Sequence, residues 1–285
     1  MLGFCATAPL LDVFSKLAVA TISVGEVTVA RFIVQTLVMV PVLAIMGLGL
    51  RLPRSILPLM AFRAACVVVS TFCFVSAVQV MPIADALAIA FVEPFIVLLW
   101  GRFVMHEPVG PRRLIASVVG FAGVLLVIQP SFQRFGAVAL WPLGTATAFA
   151  AYMLVTRQMA GRLHPVAVQF HTSWIAALIA VVPLALYGQG AFAPSMPGGV
   201  EWLWLVGVGV AAAVSHMLMT LAFGMAPTTL LAPLHYFELI SAVLYGWLVW
   251  GDFPNALAWA GTAVVIGSGL YIIHREAVAA RAAPR

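Results

Sequence analysis

Glu93 and Glu238 are the residues from which chemistry can be argued most directly. They stand 145 positions apart, each about ten residues into an apolar run of roughly bilayer-crossing length. A carboxylate at such a depth costs on the order of 2.5–3.5 kcal/mol on insertion scales, so it is kept for a use. The uses open to it are ligand binding, proton transfer, or a hydrogen bond that holds helices together. His235 precedes Glu238 by three residues and shares its helix face. Two ligands without a third make a poor metal site, so the pair reads as a pH-sensitive hydrogen-bonded couple, and neither metal nor cofactor is expected.

Other polar residues in apolar runs extend the candidate set. Asp12 and Lys16 are four apart with the acid first, the better order for an intrahelical ion pair; they either neutralise each other or face a cavity and bind a zwitterionic ligand. Arg31 and Gln35 share a face of the second run, and Gln169 stands where the second half would repeat Arg31. His171 with Trp174, joined by Tyr152 and Tyr236, would suit stacking against a flat organic ligand, although aromatic residues also serve as packing. His216 could line the same cavity. Arg63 lies close enough to a run's end to snorkel, and Asp85 falls in the first turn of its helix, where the dipole favours an acid. Pro94 and Pro233, next to and five residues before the two glutamates, each free a backbone carbonyl that could line a cavity. Ser215 and His216 are adjacent and therefore diverge by about 100° around a helix, so they form no nucleophile–base pair. No Walker A loop, zinc-protease motif or nucleophile elbow occurs, and no catalytic residue is assigned. Cys5, Cys66 and Cys73 read as small buried hydrophobes.

The elements that must position these groups come from a duplication. Pro82 and Pro227, Gly101 and Gly246, and Glu107 and Asp252 keep the glutamates' offset of 145, as do Ser70 and Ser215; an offset of 141 matches Ser15-Lys16 to Thr156-Arg157. The chain is 64% hydrophobic and 8% charged, with a mean hydropathy of +1.12, against roughly 25% charged in soluble domains. Ten apolar runs follow, at 2–20, 28–50, 57–79, 83–104 and 113–129 and again at 138–157, 166–186, 202–223, 228–249 and 257–274. The expected fold is an all-α polytopic membrane protein with two five-helix repeats, residues 1–131 and 132–276, and a cytoplasmic tail at 277–285. Five is odd, so the second repeat must insert with opposite topology. With the N-terminus inside, ten arginines fall on the inner face and only Arg134 and Lys16 on the other, which places both termini in the cytoplasm. The net charge of +5 is thereby spent on anchoring at an inner (plasma) membrane, and no basic stripe with interleaved aromatics supports a nucleic-acid partner. The N-terminus enters an apolar stretch without a basic lead or cleavage site, so a removable signal peptide is not expected. Pro82, Pro94, Gly101, Pro227, Pro233 and Gly246 are the candidate hinges. Ala116, Gly120 and Gly123 in the fifth run, and Gly261, Gly267 and Gly269 in the tenth, form small-residue seams open to use between the halves or in a homodimer.

The order Glu93-Pro94, Gly101, Glu107 in one half and Glu238, Gly246, Asp252 in the other resembles EamA-type carriers of the drug/metabolite transporter superfamily, over nearly the whole chain; Leu239 stands where the second proline would fall. Asp12, Lys16 and Arg31-Phe32 are similar to a subgroup that includes riboflavin and S-adenosylmethionine uptake carriers. The resemblance implies a secondary transporter in the lipid bilayer that moves a small polar organic metabolite by alternating access, with uptake of riboflavin or a similar aromatic or zwitterionic compound as the specific expectation. An exporter of amino acids or drugs is the alternative within the superfamily. A membrane sensor or scaffold and an intramembrane enzyme are the alternatives outside it.

Overall fold

The computed structural model describes the backbone of residues 1–104, 106, 110–128, 135–227, 230–231, 234–251 and 256–282. Glu107, Arg134, Pro233 and Asp252 lie outside the described residues, as does the side chain of Asp85. The described residues form eleven α-helices and no strand: α1 (Leu2–Val19), α2 (Val24–Ile45), α3 (Leu57–Val78), α4 (Ile83–Ala90), α5 (Glu93–Phe103), α6 (Pro111–Ile128), α7 (Leu140–Gln158), α8 (Pro165–Tyr187), α9 (Gly199–Met225), α10 (Glu238–Trp250) and α11 (Ala256–Ala282). Six of them, α1, α2, α3, α7, α8 and α9, are long and apolar enough to cross a membrane.

Local chemistry sets the helix ends. Ser23 accepts a hydrogen bond from the backbone N–H of Glu26 at 3.3 Å and starts α2. The Glu26 carboxylate then accepts the backbone N–H of Ser195 at 2.9 Å, which ties the start of α2 to the segment leading into α9. Pro165 opens α8, where its missing N–H costs nothing. Gly188 and Gly251, at φ 54° and 74°, end α8 and α10 in the left-handed conformation that glycine adopts without strain.

The largest departure from the sequence reading is at the glutamates. The runs at 83–104 and 228–249 are not continuous helices. The first breaks at Phe91 and Val92, so Glu93 is the first residue of α5; in the second, a 3₁₀ turn at His235–Phe237 precedes Glu238, the first residue of α10. Pro94 explains the first break, because inside a helix it would remove one hydrogen bond and clash with the preceding turn. At the second position of a new helix it does neither. Gly101 and Gly246, expected as hinges, sit inside α5 and α10, and Pro82 caps the start of α4. Pro227 directly follows Ala226, the extended C-cap of α9. The last helix runs to Ala282, into the segment read as a tail.

Packing follows close-approach positions. α1 lies against α9, α3 against α7, α2 against α8, and α6 against α11. The pairs are antiparallel. Gly3 meets Leu218 while Gly207 meets Phe14; Gly25 meets Leu184 while Leu43 packs with Val166 and Ala167; Gly123 meets Gly261 while Ala116 accepts from Ser268 at 2.5 Å. The seam of Ala116, Gly120 and Gly123 is therefore occupied by α11 of the same chain. Polar groups on these helices turn inward and apolar stripes outward: Arg31 and Gln35 of α2 are buried, whereas Ile33, Leu37 and Val40 are exposed. That is the reverse of a water-soluble helix and the order a hydrocarbon solvent imposes.

Candidate functional site

A central cavity of about 90 Å³ is walled by residues from α1, α2, α3, α4, α5, α7, α9 and α10, so both halves build it. Asp12, Arg31, Glu93, His235 and Glu238 line it, five of the eleven substrate-binding candidates. The breaks in the fourth and ninth runs bring the two glutamates together. Each begins a half-helix, and His235 lies between them with Nδ1 2.6 Å from Glu93 Oε2 and Nε2 2.5 Å from Glu238 Oε2. These contacts are close, but the oxygens lie off the ring N–H directions, so they are ion pairs rather than aligned hydrogen bonds. Glu93 and Glu238 are 3% and 6% exposed. An imidazolium carries a hydrogen on each ring nitrogen and can face two carboxylates, whereas a neutral ring has one to give. The three groups thus form a compact unit whose charge changes by one with a single proton. Each carboxylate also sits at a helix N-terminus, where the backbone dipole favours negative charge.

Around this unit the cavity is aromatic. The rings of Phe4, Phe91 and Phe149 lie 5.1, 5.8 and 6.1 Å from that of His235, and Phe149 stacks on Tyr152 at 5.5 Å. Asp12 faces Arg31, His235 and Glu238 electrostatically. Arg31 donates through Nη1 to Thr71 and through Nη2 to His216 Nε2 at 2.9 Å, while among the described residues its Nε has no hydrogen-bond partner; nor does Glu93 Oε1. The wall therefore offers the Arg31 guanidinium as a cationic donor and the Glu93 carboxylate as an acceptor, an arrangement that can bind a neutral or zwitterionic polar group.

Six candidates are not brought to the cavity. Lys16 does not close on Asp12: its Nζ donates to the Met81 carbonyl at 3.3 Å and lies 5.7 Å from the Trp250 ring, so the intrahelical pair is replaced by contacts outside the cavity. Gln35 is buried on α2 outside the lining. Trp174 Nε1 donates to His171 Nδ1 at 3.0 Å, but both belong to α8, which contributes nothing to the cavity wall. Tyr236 packs between Phe91 and the Gly120 backbone. Tyr152 stands behind Phe149 and bonds His216 and Arg63. His171, Trp174, Tyr152 and Tyr236 are thus not brought together in the cavity wall; the rings beside His235 there are Phe4, Phe91 and Phe149. Arg63, expected to snorkel, is 0% exposed and hydrogen-bonded through all three of its guanidinium nitrogens inside the bundle.

The sequence did carry a signal for the missed wall residues. At the offset of 145, Ser70 matches Ser215, Thr71 matches His216, and Ala90 matches His235; at 141, Phe4 matches Thr145 and Ala8 matches Phe149. All ten line the cavity, together with the two glutamates. Much of the wall is built from equivalent positions; the glutamates are the same in both halves, while His216 and His235 stand where the first half has Thr71 and Ala90.

A family model describing the EamA-like transporter family matches residues 1–129 and again residues 136–274. The chain belongs to the EamA-like transporter family. Among curated relatives it is 25% identical to the riboflavin transporter of Brucella anthropi, over 99% of this chain and 100% of that protein. It is 30% identical to the riboflavin transporter of Rhizobium johnstonii over 71% of this chain, spanning 66% of that protein's length. It is also 25% identical to the pseudopaline exporter of Pseudomonas aeruginosa, over 91% of this chain and 89% of that protein. A crystal structure shares the fold, with a TM-score of 0.76 at 20% identity over 94% of both chains. This EamA-family chain is a multi-pass membrane protein, and its named relatives are transporters.

Proposed function

We propose that the chain is a secondary active transporter that moves a small polar organic metabolite across the inner membrane by alternating access. Ten spans arranged as two inverted five-helix repeats provide the machinery. The antiparallel packing of the equivalent pairs α2 with α8 and α6 with α11 supports that arrangement, because repeats inserted in opposite directions must run antiparallel where they meet. The arginine asymmetry supports cytoplasmic termini.

One observation carries the reading: Glu93, His235 and Glu238 form a single ionic unit at two half-helix starts, inside a cavity that both halves wall. Half-helix ends at the interface of repeats are where such carriers place substrate and coupling-ion sites. Rocking of one half against the other would expose this unit to each side in turn, and its single exchangeable proton couples movement to a proton gradient. Riboflavin, or a similar aromatic or zwitterionic metabolite, fits a wall that carries Phe4, Phe74, Phe91 and Phe149 beside the Arg31 guanidinium and the Glu93 carboxylate, and uptake is the direction proposed. The riboflavin-transporter relatives favour this choice. The exporter relative supports the second reading, export of an amino-acid-like compound through the same cavity.

A thermal-shift screen of purified protein with flavins, amino acids and S-adenosylmethionine tests the substrate class, followed by counterflow of the hit in proteoliposomes. Riboflavin stabilisation with saturable counterflow is expected. Stabilisation by an amino acid alone would move the reading to the exporter, and binding without flux would turn it to a sensor.

A further inference from the structure

Arg63 is buried to 0% exposure, and every hydrogen-bond partner it has among the described residues is neutral. Its Nε donates to Thr156 Oγ1 at 2.9 Å, Nη1 to Thr172, and Nη2 to Tyr152 Oη at 2.8 Å and Thr220 Oγ1 at 3.4 Å. The guanidinium also lies 4.2 Å from the Tyr152 ring centroid. Arg63 belongs to α3, in the first half; its four partners belong to α7, α8 and α9, in the second. A hydrophobic residue would hold such an interface as well or better, since a buried charge must be stripped of water. A set of hydrogen bonds differs from an apolar plug in one respect: it can be exchanged for water when the interface opens.

The cluster lies toward one end of the bundle. Arg63 is in the second turn of α3 and Thr156 in the last turn of α7, whereas the cavity is reached further along at Ser70 on α3 and Phe149 on α7, about 10 Å away along α3. A hydrogen-bond chain joins the two places. Arg31 Nη2 is 2.9 Å from His216 Nε2, His216 Nδ1 is 2.9 Å from Tyr152 Oη, and Tyr152 Oη accepts from Arg63. A guanidinium can only donate, so His216 Nε2 accepts, its Nδ1 holds the ring hydrogen, and Tyr152 Oη receives donors from both sides. Both buried arginines thus converge on one phenolic oxygen.

We infer that Arg63 seals the end of the bundle where α3 begins, and that His216 and Tyr152 are positioning residues that couple this seal to Arg31 in the cavity. The inference rests on the transporter reading, which supplies the reason for an opening seal. A ligand that engages the Arg31 guanidinium withdraws its hydrogen bond from His216, and the loss passes through Tyr152 to Arg63.

The test uses the full chain in nanodiscs with Cys5, Cys66 and Cys73 changed to serine and spin labels at Ser55 and Gln158, both exposed, beside the start of α3 and the end of α7. Arg63→Gln raises the ratio of long to short label distances by about tenfold, the scale of losing one or two charge-assisted hydrogen bonds from one state; Arg63→Lys falls between. Arg31→Gln shifts the same distance through the chain, and the shift disappears in a Tyr152→Phe background, which keeps the ring and removes the oxygen. An unchanged distribution in monodisperse Arg63→Gln protein overturns the seal. An equal Arg31→Gln shift with and without the Tyr152 oxygen overturns the coupling. Neither readout needs a substrate, so failure of the transporter reading appears separately, as distances that respond in a protein that carries no solute in proteoliposomes.

Discussion

Replacing Glu93 by glutamine removes one charge from the central ionic unit and almost nothing else. The side chain keeps its length, and its carbonyl oxygen can still face His235 Nδ1, now 2.6 Å from the carboxylate. Two unit charges about 4 Å apart attract by about 4 kcal/mol at an effective dielectric constant of ~20. Against that loss stands the relief of no longer holding a desolvated carboxylate in a site 3% exposed, worth several kcal/mol in the other direction. The two nearly cancel, so folding stability should change by no more than about 1–2 kcal/mol. Transport should change far more, because the cancellation holds for one charge state only. With Glu93 neutral, His235 has Glu238 as its remaining carboxylate contact, and the unit no longer gains and loses a proton between the same two charge states. Uptake driven by an inward proton gradient in proteoliposomes should fall at least about tenfold, equivalent to ~1.4 kcal/mol of lost coupling, while counterflow at symmetric pH, which needs no net proton movement, should persist. Glu238→Gln should behave alike. Gradient-driven uptake within about twofold of wild type in both variants, with an unchanged dependence on pH, would refute the proton-coupling argument.

Further expectations separate the cavity from its surroundings. Asp12→Asn, in the wall, should raise KM for the transported metabolite about tenfold, whereas Lys16→Gln, whose amine points away to Met81 and Trp250, should leave KM within about twofold; equal effects in uptake kinetics would restore the intrahelical pair. Phe149→Ala removes the ring that stacks on Tyr152 and flanks His235, and weaker ligand-induced thermal stabilisation of an aromatic metabolite by about 0.5–1.5 kcal/mol should follow. Gly209→Ala places a Cβ against the Cβ of Val34, which should destabilise the α2–α9 contact by about 1–3 kcal/mol; a lower melting temperature, partly restored by Val34→Gly, which removes that Cβ, is the outcome to measure.

Asp12, Arg31, Glu93, His235 and Glu238, which line the cavity, were legible as candidates because a polar or charged group in an apolar run is costly wherever the run packs. The aromatic wall was not, since a phenylalanine in an apolar helix looks the same whether it faces lipid, a neighbour or a cavity. Phe62 is 55% exposed and Phe149 flanks the site, and nothing local tells them apart. Arg63 failed for the opposite reason: its distance from the helix end allowed snorkelling, and only the convergence of Thr156, Thr172, Thr220 and Tyr152 from three other helices made burial affordable.

Composition, the two offsets and the arginine bias thus determined by themselves that this chain is a helical membrane protein built by duplication, because a hydrocarbon solvent and a repeated register leave few alternatives. Tertiary structure decided where the helices break and what meets there. Glu93 and Glu238 were each readable as mid-helix residues, and hydropathy cannot register a break between two equally apolar half-helices. Closing both carboxylates on one imidazole takes helices from opposite ends of the sequence, and that contact exists only once the two halves have packed against each other.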